Sequence, residues 1–109
     1  MLMSDVFERK LPQFSDAVSR LYDEVMKAGK LDEKTKELIA IALSVATKCE
    51  PCIKYHVKSA LKQGATEEEV VEAVAIAIAM MGLPTYGWSS KILANSIGKR
   101  QKQRKNKRT

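Results

Sequence analysis

Residues 37–56, ELIAIALSVATKCEPCIKYH, hold both cysteines of the chain, its only histidine, and a carboxylate twelve positions before the first thiol. Cys49 and Cys52 are separated by Glu50 and Pro51, a spacing used by dithiols that cycle between thiol and disulfide. If Cys49 caps a helix and Pro51 lies in its first turn, the two sulfurs can close a small disulfide loop. Proline suits that turn because the amide hydrogen it lacks would have had no helical partner there. The thiols would then sit at the positive end of the helix, where unpaired amides and the helix dipole favour thiolate over thiol. His56 follows Cys52 by four residues, so on a helix its imidazole shares a face with that sulfur and can take or return a proton.

Helices are needed to position these groups, and the apolar periodicity supplies them. Residues 11–28 read as an amphipathic helix with Pro12 in the first turn and Phe14, Val18, Leu21, Tyr22 and Val25 along one stripe, ended by Gly29 and Lys30. Val6 and Phe7 pack ahead of it in a shorter turn. Asp32 is placed to cap a second helix running to about Thr47, whose stretch from Leu38 to Ala46 is apolar nearly all round and therefore predicted to be enclosed. Glu37 lies just before that stretch, where an ordinary first-turn acid answering the helix dipole is the simpler account. A third helix from about Pro51 to Gln63 alternates Lys54, Lys58 and Lys62 with Ile53, Val57, Ala60 and Leu61, and Gly64 terminates it.

Thr66 and Glu69 have the form of a capping box, which starts a fourth helix. Its body, VVEAVAIAIAMMG, shows no polar face after Glu72, with Met80 and Met81 predicted to fill core gaps. Gly82, Leu83 and Pro84 are read as a break before a last helix over residues 86–98 that carries Trp88, Ile92, Leu93 and Ile97. Trp88 either shields a site or packs. Two helices apolar on every side are hard to bury in so small a domain, and the surplus points to self-association.

The arrangement of Glu37, eleven residues, Cys49-x-x-Cys52, three residues and His56 resembles the signature of the AhpD-like, or carboxymuconolactone decarboxylase, family. The similarity extends through residues 31–39, the cysteine segment and Gly64-Ala65-Thr66-x-Glu68-Glu69-Val70 to Met81-Gly82, about half of the chain. It implies an all-α, AhpD-like orthogonal helical domain of about five helices over residues 1–98, assembled as trimers or hexamers. It also implies a catalytic set of Glu37, Cys49, Cys52 and His56 with no cofactor and no metal. In that mechanism Cys52 is the attacking thiolate and becomes a sulfenic acid. Cys49 supplies a proton and then condenses with it, and His56, linked to Glu37, draws the proton from Cys52. The implied partners are a small hydroperoxide or lactone-type substrate and a lipoyl or thioredoxin-like electron donor. One departure stands out: the alkylhydroperoxidase has a histidine immediately before its second cysteine, where this chain has Pro51.

Two other functional classes are weighed against this thiol oxidoreductase. A cofactor-free lactone decarboxylase or similar acid–base enzyme does not need a dithiol, so Cys49 and Cys52 argue against it. A zinc site built from Cys49, Cys52, His56 and Glu37 lacks the fourth sulfur or imidazole that structural zinc prefers. A binding protein with a vestigial dithiol, working through its tail, is the remaining reading.

The chain of 109 residues fits one domain, and its formal charge of +6 is unevenly placed. Residues 99–109, KRQKQRKNKRT, hold seven of the 19 Lys and Arg and no acid, leaving 12 positive residues against 13 acids in residues 1–98. This basic tail has no apolar residue to bury, so it is expected to be disordered or a polar extension of the last helix. No base-reading motif points to nucleic acid. The N-terminal residues do not form a signal peptide and no apolar stretch is long enough to span a membrane, so a cytoplasmic protein is expected. In a reducing cytosol a dithiol of this spacing is catalytic or metal-binding more often than structural.

Overall fold

The computed structural model describes the backbone of residues 5–108 and the side chains of residues 6–98. Among the described residues there are six helices and no strand: α1 (Asp5–Lys10), α2 (Pro12–Met26), α3 (Glu33–Ala46), α4 (Glu50–Lys62), α5 (Glu67–Met81) and α6 (Leu83–Arg108). The all-α class is as expected. The sixth helix is α1, formed where only a short turn was expected around Val6 and Phe7. None of the helices is long and apolar enough to cross a membrane among the described residues. For the basic segment 99–109, expected to be disordered or a polar extension of the last helix, the backbone of α6 continues to Arg108, and the side chains of the segment lie outside the described ones.

The chain forms two compact units, Met1–Glu33 and Lys34–Thr109. In the first, Leu11 separates α1 from α2, and Pro12 occupies the opening turn of α2 as its fixed φ and missing amide favour. The Phe7 and Phe14 rings meet with centroids 5.7 Å apart. Helix α2 stops at Lys27, which turns extended at φ −66° and ψ 154°, two residues before the predicted glycine stop at Gly29.

The second unit holds the core, made of Ile41 and Val45 from α3, Ile53, Val57, Ala60 and Leu61 from α4, Ala65, Val70, Val74 and Ala77 around α5, and Ile92 from α6. Trp88, Leu93 and Ile97 of α6 pack against this cluster, so Trp88 is a packing residue. On α4 the Lys54, Lys58 and Lys62 positions face solvent while the apolar positions between them are buried, as the periodicity predicts. Pro84 does not break the chain. It lies in the first turn of α6, where proline is tolerated, and the reversal falls on Gly82 at φ 101°.

In the single chain the predicted enclosure of α3 is incomplete, and both apolar helices leave the surplus that is hard to bury in a domain this small. Helix α3 buries Glu37, Ile41, Ser44 and Val45 but exposes Ile39 and Leu43, while α5 exposes Val71, Ile76, Met80 and Met81. Met80 is 76% exposed, so it does not fill a core gap. A unit of this size has one interior face to offer each helix, and the second apolar face is left outside.

The start of α5 is set by the predicted capping box. Glu69 donates its amide to Thr66 Oγ1 at 3.1 Å, and the Thr66 amide donates to Glu69 Oε1 at 2.9 Å. Lys34 Nζ reaches the other carboxylate oxygen at 3.0 Å, tying the beginning of α3 to that of α5. The Thr66 backbone amide, then Lys34, hold the Glu69 carboxyl below its ordinary value. A lowered acid contributes stability above its unfolded value and loses it as pH falls through the folded one, so this contact fades only in acid. Thr66→Ala is expected to lower unfolding free energy by about 1 kcal/mol in urea titrations near neutral pH.

Candidate active site

The site is built where α3 hands over to α4. Helix α3 ends in a Schellman turn, with the Lys48 amide donating to the Val45 carbonyl at 3.1 Å and the Cys49 amide donating to the Ser44 carbonyl at 2.9 Å. The residue at the left-handed position of that turn is Lys48, at φ 56°, where glycine is usual. Helix α4 ends in the same motif with Gly64 at φ 94° in the corresponding place, its amide reaching Leu61 and the next amide, of Ala65, reaching Ala60. A non-glycine residue costs about 1–2 kcal/mol in this conformation, and here the cost is borne one residue before the dithiol.

That turn delivers Cys49 to the N-cap of α4, with Glu50 and Pro51 opening the helix and the Cys49 carbonyl accepting from the Ile53 amide at 3.0 Å. Cys49 and Cys52 form a disulfide, their Cα atoms 5.2 Å apart, and both are half-buried. The local arrangement is the one inferred from the spacing: a capping cysteine, proline in the first turn, and the second sulfur still within that turn. No side chain caps the helix through a hydrogen bond. The amides at this end are thus available to a negative charge on sulfur once the disulfide is reduced.

One turn beyond Cys52, His56 is 5% exposed and Glu37, reaching across from α3, is 7% exposed. The His56 Nδ1 and Glu37 Oε2 atoms are 2.7 Å apart. Ser59 Oγ donates to the other carboxylate oxygen, Glu37 Oε1, at 3.0 Å. Glu37 is therefore not a first-turn acid facing solvent. It is the fifth residue of α3, on the buried stripe that continues through Ile41, Ser44 and Val45. The Tyr55 ring stands edge-on to the imidazole, with centroids 5.1 Å apart and planes at 85°.

The structure joins the four residues singled out from the sequence in two pairs: the two cysteines are bonded to each other, and Glu37 is bonded to His56. Sequence reasoning missed Ser59. Its signal was its spacing, since Cys52, His56 and Ser59 stand at i, i+4 and i+7 and so share one face of α4. The four groups do not form a metal cage. Among the described residues no three His, Cys, Asp or Glu side chains are gathered to hold an ion.

A helical domain with a dithiol at a helix N-terminus and a buried Glu–His pair one turn on defines a class of small all-α proteins equipped for thiol or acid–base chemistry. The sequence matches the carboxymuconolactone decarboxylase family over residues 12–94, and the chain belongs to that family. It is 42% identical over 79 residues to an uncharacterized protein of the cox locus of Paracoccus denitrificans, covering 72% of this chain and 71% of that protein. Over 59 residues it is 39% identical to the alkyl hydroperoxide reductase AhpD of Corynebacterium kroppenstedtii, covering 54% of this chain but only 33% of that protein. Among solved structures, a Thermotoga maritima family protein whose description raises a role in antioxidative response superposes with a TM-score of 0.78 at 30% identity, over 86% of this chain and 96% of that one.

Proposed function

We propose that this chain is a thiol-dependent oxidoreductase that reduces a small hydroperoxide and is recharged by a dithiol donor of lipoyl or thioredoxin-like type. The observation that carries the reading is the Cys49–Cys52 pair in the opening turn of α4, with His56, one turn on, bonded to buried Glu37. The name of the Corynebacterium relative and the description of the Thermotoga structure are in keeping with it.

In the proposed cycle the reduced Cys52 passes its proton to His56, and the resulting thiolate attacks the terminal oxygen of the hydroperoxide. The O–O bond breaks, Cys52 becomes a sulfenic acid, and the alkoxide leaves as an alcohol after protonation. Cys49 sulfur then attacks Cys52 sulfur, the hydroxyl leaves as water, and the disulfide forms. The two electrons that reduced the peroxide came from the dithiol, and the donor restores them by thiol–disulfide exchange. The test is peroxide consumption by wild type and Cys52→Ser with dithiothreitol or dihydrolipoamide. The variant is expected to fall to the uncatalysed rate, and equal rates in both proteins would overturn the proposal.

The exposed apolar side chains support a second component of the proposal, self-association as a trimer or hexamer. Ile39 and Leu43 on α3, Ile76, Met80 and Met81 on α5, and Leu83 and Tyr86 on α6 are between 45% and 82% exposed in the single chain. Covering apolar area is worth roughly 25 cal/mol per Å², which favours burying these faces against further copies. Light scattering at micromolar concentration is expected to give a multiple of the 12.2 kDa chain mass, and a monomer mass would refute it.

A further inference from the structure

We infer that Ser59 is a positioning residue which fixes the Glu37 carboxylate and thereby the tautomer of His56, leaving Nε2 as the ring nitrogen that exchanges protons with the dithiol. The functional half of this inference rests on the proposed thiol chemistry; the tautomer itself does not.

A carboxylate bonded through one oxygen can still swing about its terminal torsions, and the ring bonded to it swings too. In this site both oxygens are engaged, Oε2 by His56 Nδ1 at 2.7 Å and Oε1 by Ser59 Oγ at 3.0 Å. The two partners come from one helix, three residues apart, while the carboxylate comes from α3. Glu37 is thus held as a fork by two residues on one face of α4. The serine hydroxyl is the donor in its bond, and a carboxylate, which can only accept, would take the hydrogen of the second bond from Nδ1. In the neutral ring the lone pair is then on Nε2. Burial strengthens this assignment: Glu37 and His56 are each less than 8% exposed, so water cannot readily replace either partner.

Ser59 is three residues from His56 and seven from Cys52, so the base, its orienting acid and the hydroxyl that steadies the acid are referred to the helix that carries the attacking sulfur. A disturbance at the far end of this face should reach the thiol through the tautomer rather than through packing.

The chain has a single histidine, so imidazole nitrogen-15 spectra report His56 without assignment. In wild type, over the pH range where the ring is neutral, one nitrogen is expected to appear protonated and the other unprotonated, with the pattern of the Nδ1–H tautomer. Ser59→Ala should convert this to a mixture of tautomers and slow alkylation of Cys52 in the reduced protein about fivefold to tenfold. Ser59→Thr, which keeps the hydroxyl, should restore both. A purely structural serine would leave the tautomer unmoved in Ser59→Ala, and that result, or an Nε2–H tautomer in wild type, overturns the inference. Far-ultraviolet circular dichroism confirms that each variant is folded. A serine-dependent Nδ1–H tautomer in a protein that consumes no peroxide would uphold the anchoring and remove the peroxidase reading instead.

Discussion

His56→Ala is expected to lower the unfolding free energy by about 3 kcal/mol and to slow Cys52 alkylation in the reduced protein by about 10²-fold or more. The two losses have different causes. Removing the imidazole leaves Glu37, 7% exposed, with only the Ser59 hydroxyl for a partner, and an uncompensated buried carboxylate is costly. The rate loss follows from taking away the base one turn beyond the thiol. Glu37→Gln separates the two effects, because the amide keeps the volume and an acceptor oxygen while discarding the charge: its stability loss should be smaller and its alkylation rate intermediate. Replacing both residues by leucine should cost less than the sum of the two single leucine replacements, since no orphaned charge remains, with a coupling of about 1–3 kcal/mol. Urea titrations at one fixed protein concentration measure the first quantity, a condition needed because association shifts apparent stability. Equal stability of wild type and His56→Ala would mean that the pair contributes nothing to the native state.

The parts of this architecture that are legible in the sequence are those set by local chemistry. Pro12, Pro51, the Thr66–Glu69 box and Gly64 each act within a turn of themselves, and each marks the helix end it was expected to mark. The dithiol and His56 belong to the same category, since their relation is fixed by a single helix. Glu37 is different. It stands 19 residues from His56, and nothing in its own surroundings distinguishes it from an exposed helix acid; only the family resemblance paired the two. Ser59 shares a face with Cys52 and His56 by spacing, but a serine beside a lysine on an amphipathic helix reads as surface, and its role appears only when an acid from α3 is placed opposite. Lys48 shows the limit of propensity, for it takes the left-handed position that glycine usually fills because hydrogen bonds to Val45 and Ser44 hold the turn. An apolar surplus on α3 and α5 was legible, but that Ile76 and Met80 carry it was not, because periodicity reports how much apolar surface a helix has and not which part its neighbours cover.

The division of labour between the two cysteines leads to the other large expected effect. After reduction, Cys52 should be alkylated before Cys49 at neutral pH, and Cys49→Ser should consume one equivalent of peroxide and stop at a sulfenic acid on Cys52, trappable by a sulfenate reagent. Both sulfurs lie at the same helix end, so the dipole alone does not separate them. His56 does, because it lies one turn after Cys52 on the same face, whereas Cys49 caps the helix with no base at that spacing. Catalytic turnover should fall to background in either serine variant, but for different reasons. Cys52→Ser has no nucleophile, and Cys49→Ser has no sulfur to release the oxygen as water and regenerate the disulfide that the donor reduces. Intact mass after one equivalent of peroxide reads the difference directly: wild type should lose two hydrogens relative to its reduced form, Cys49→Ser should gain one oxygen, and Cys52→Ser should be unchanged. An oxygen found on Cys49 in the Cys52→Ser protein, with Cys52 inert in the other variant, would reverse the two roles and with them the assignment of His56 as the base for Cys52.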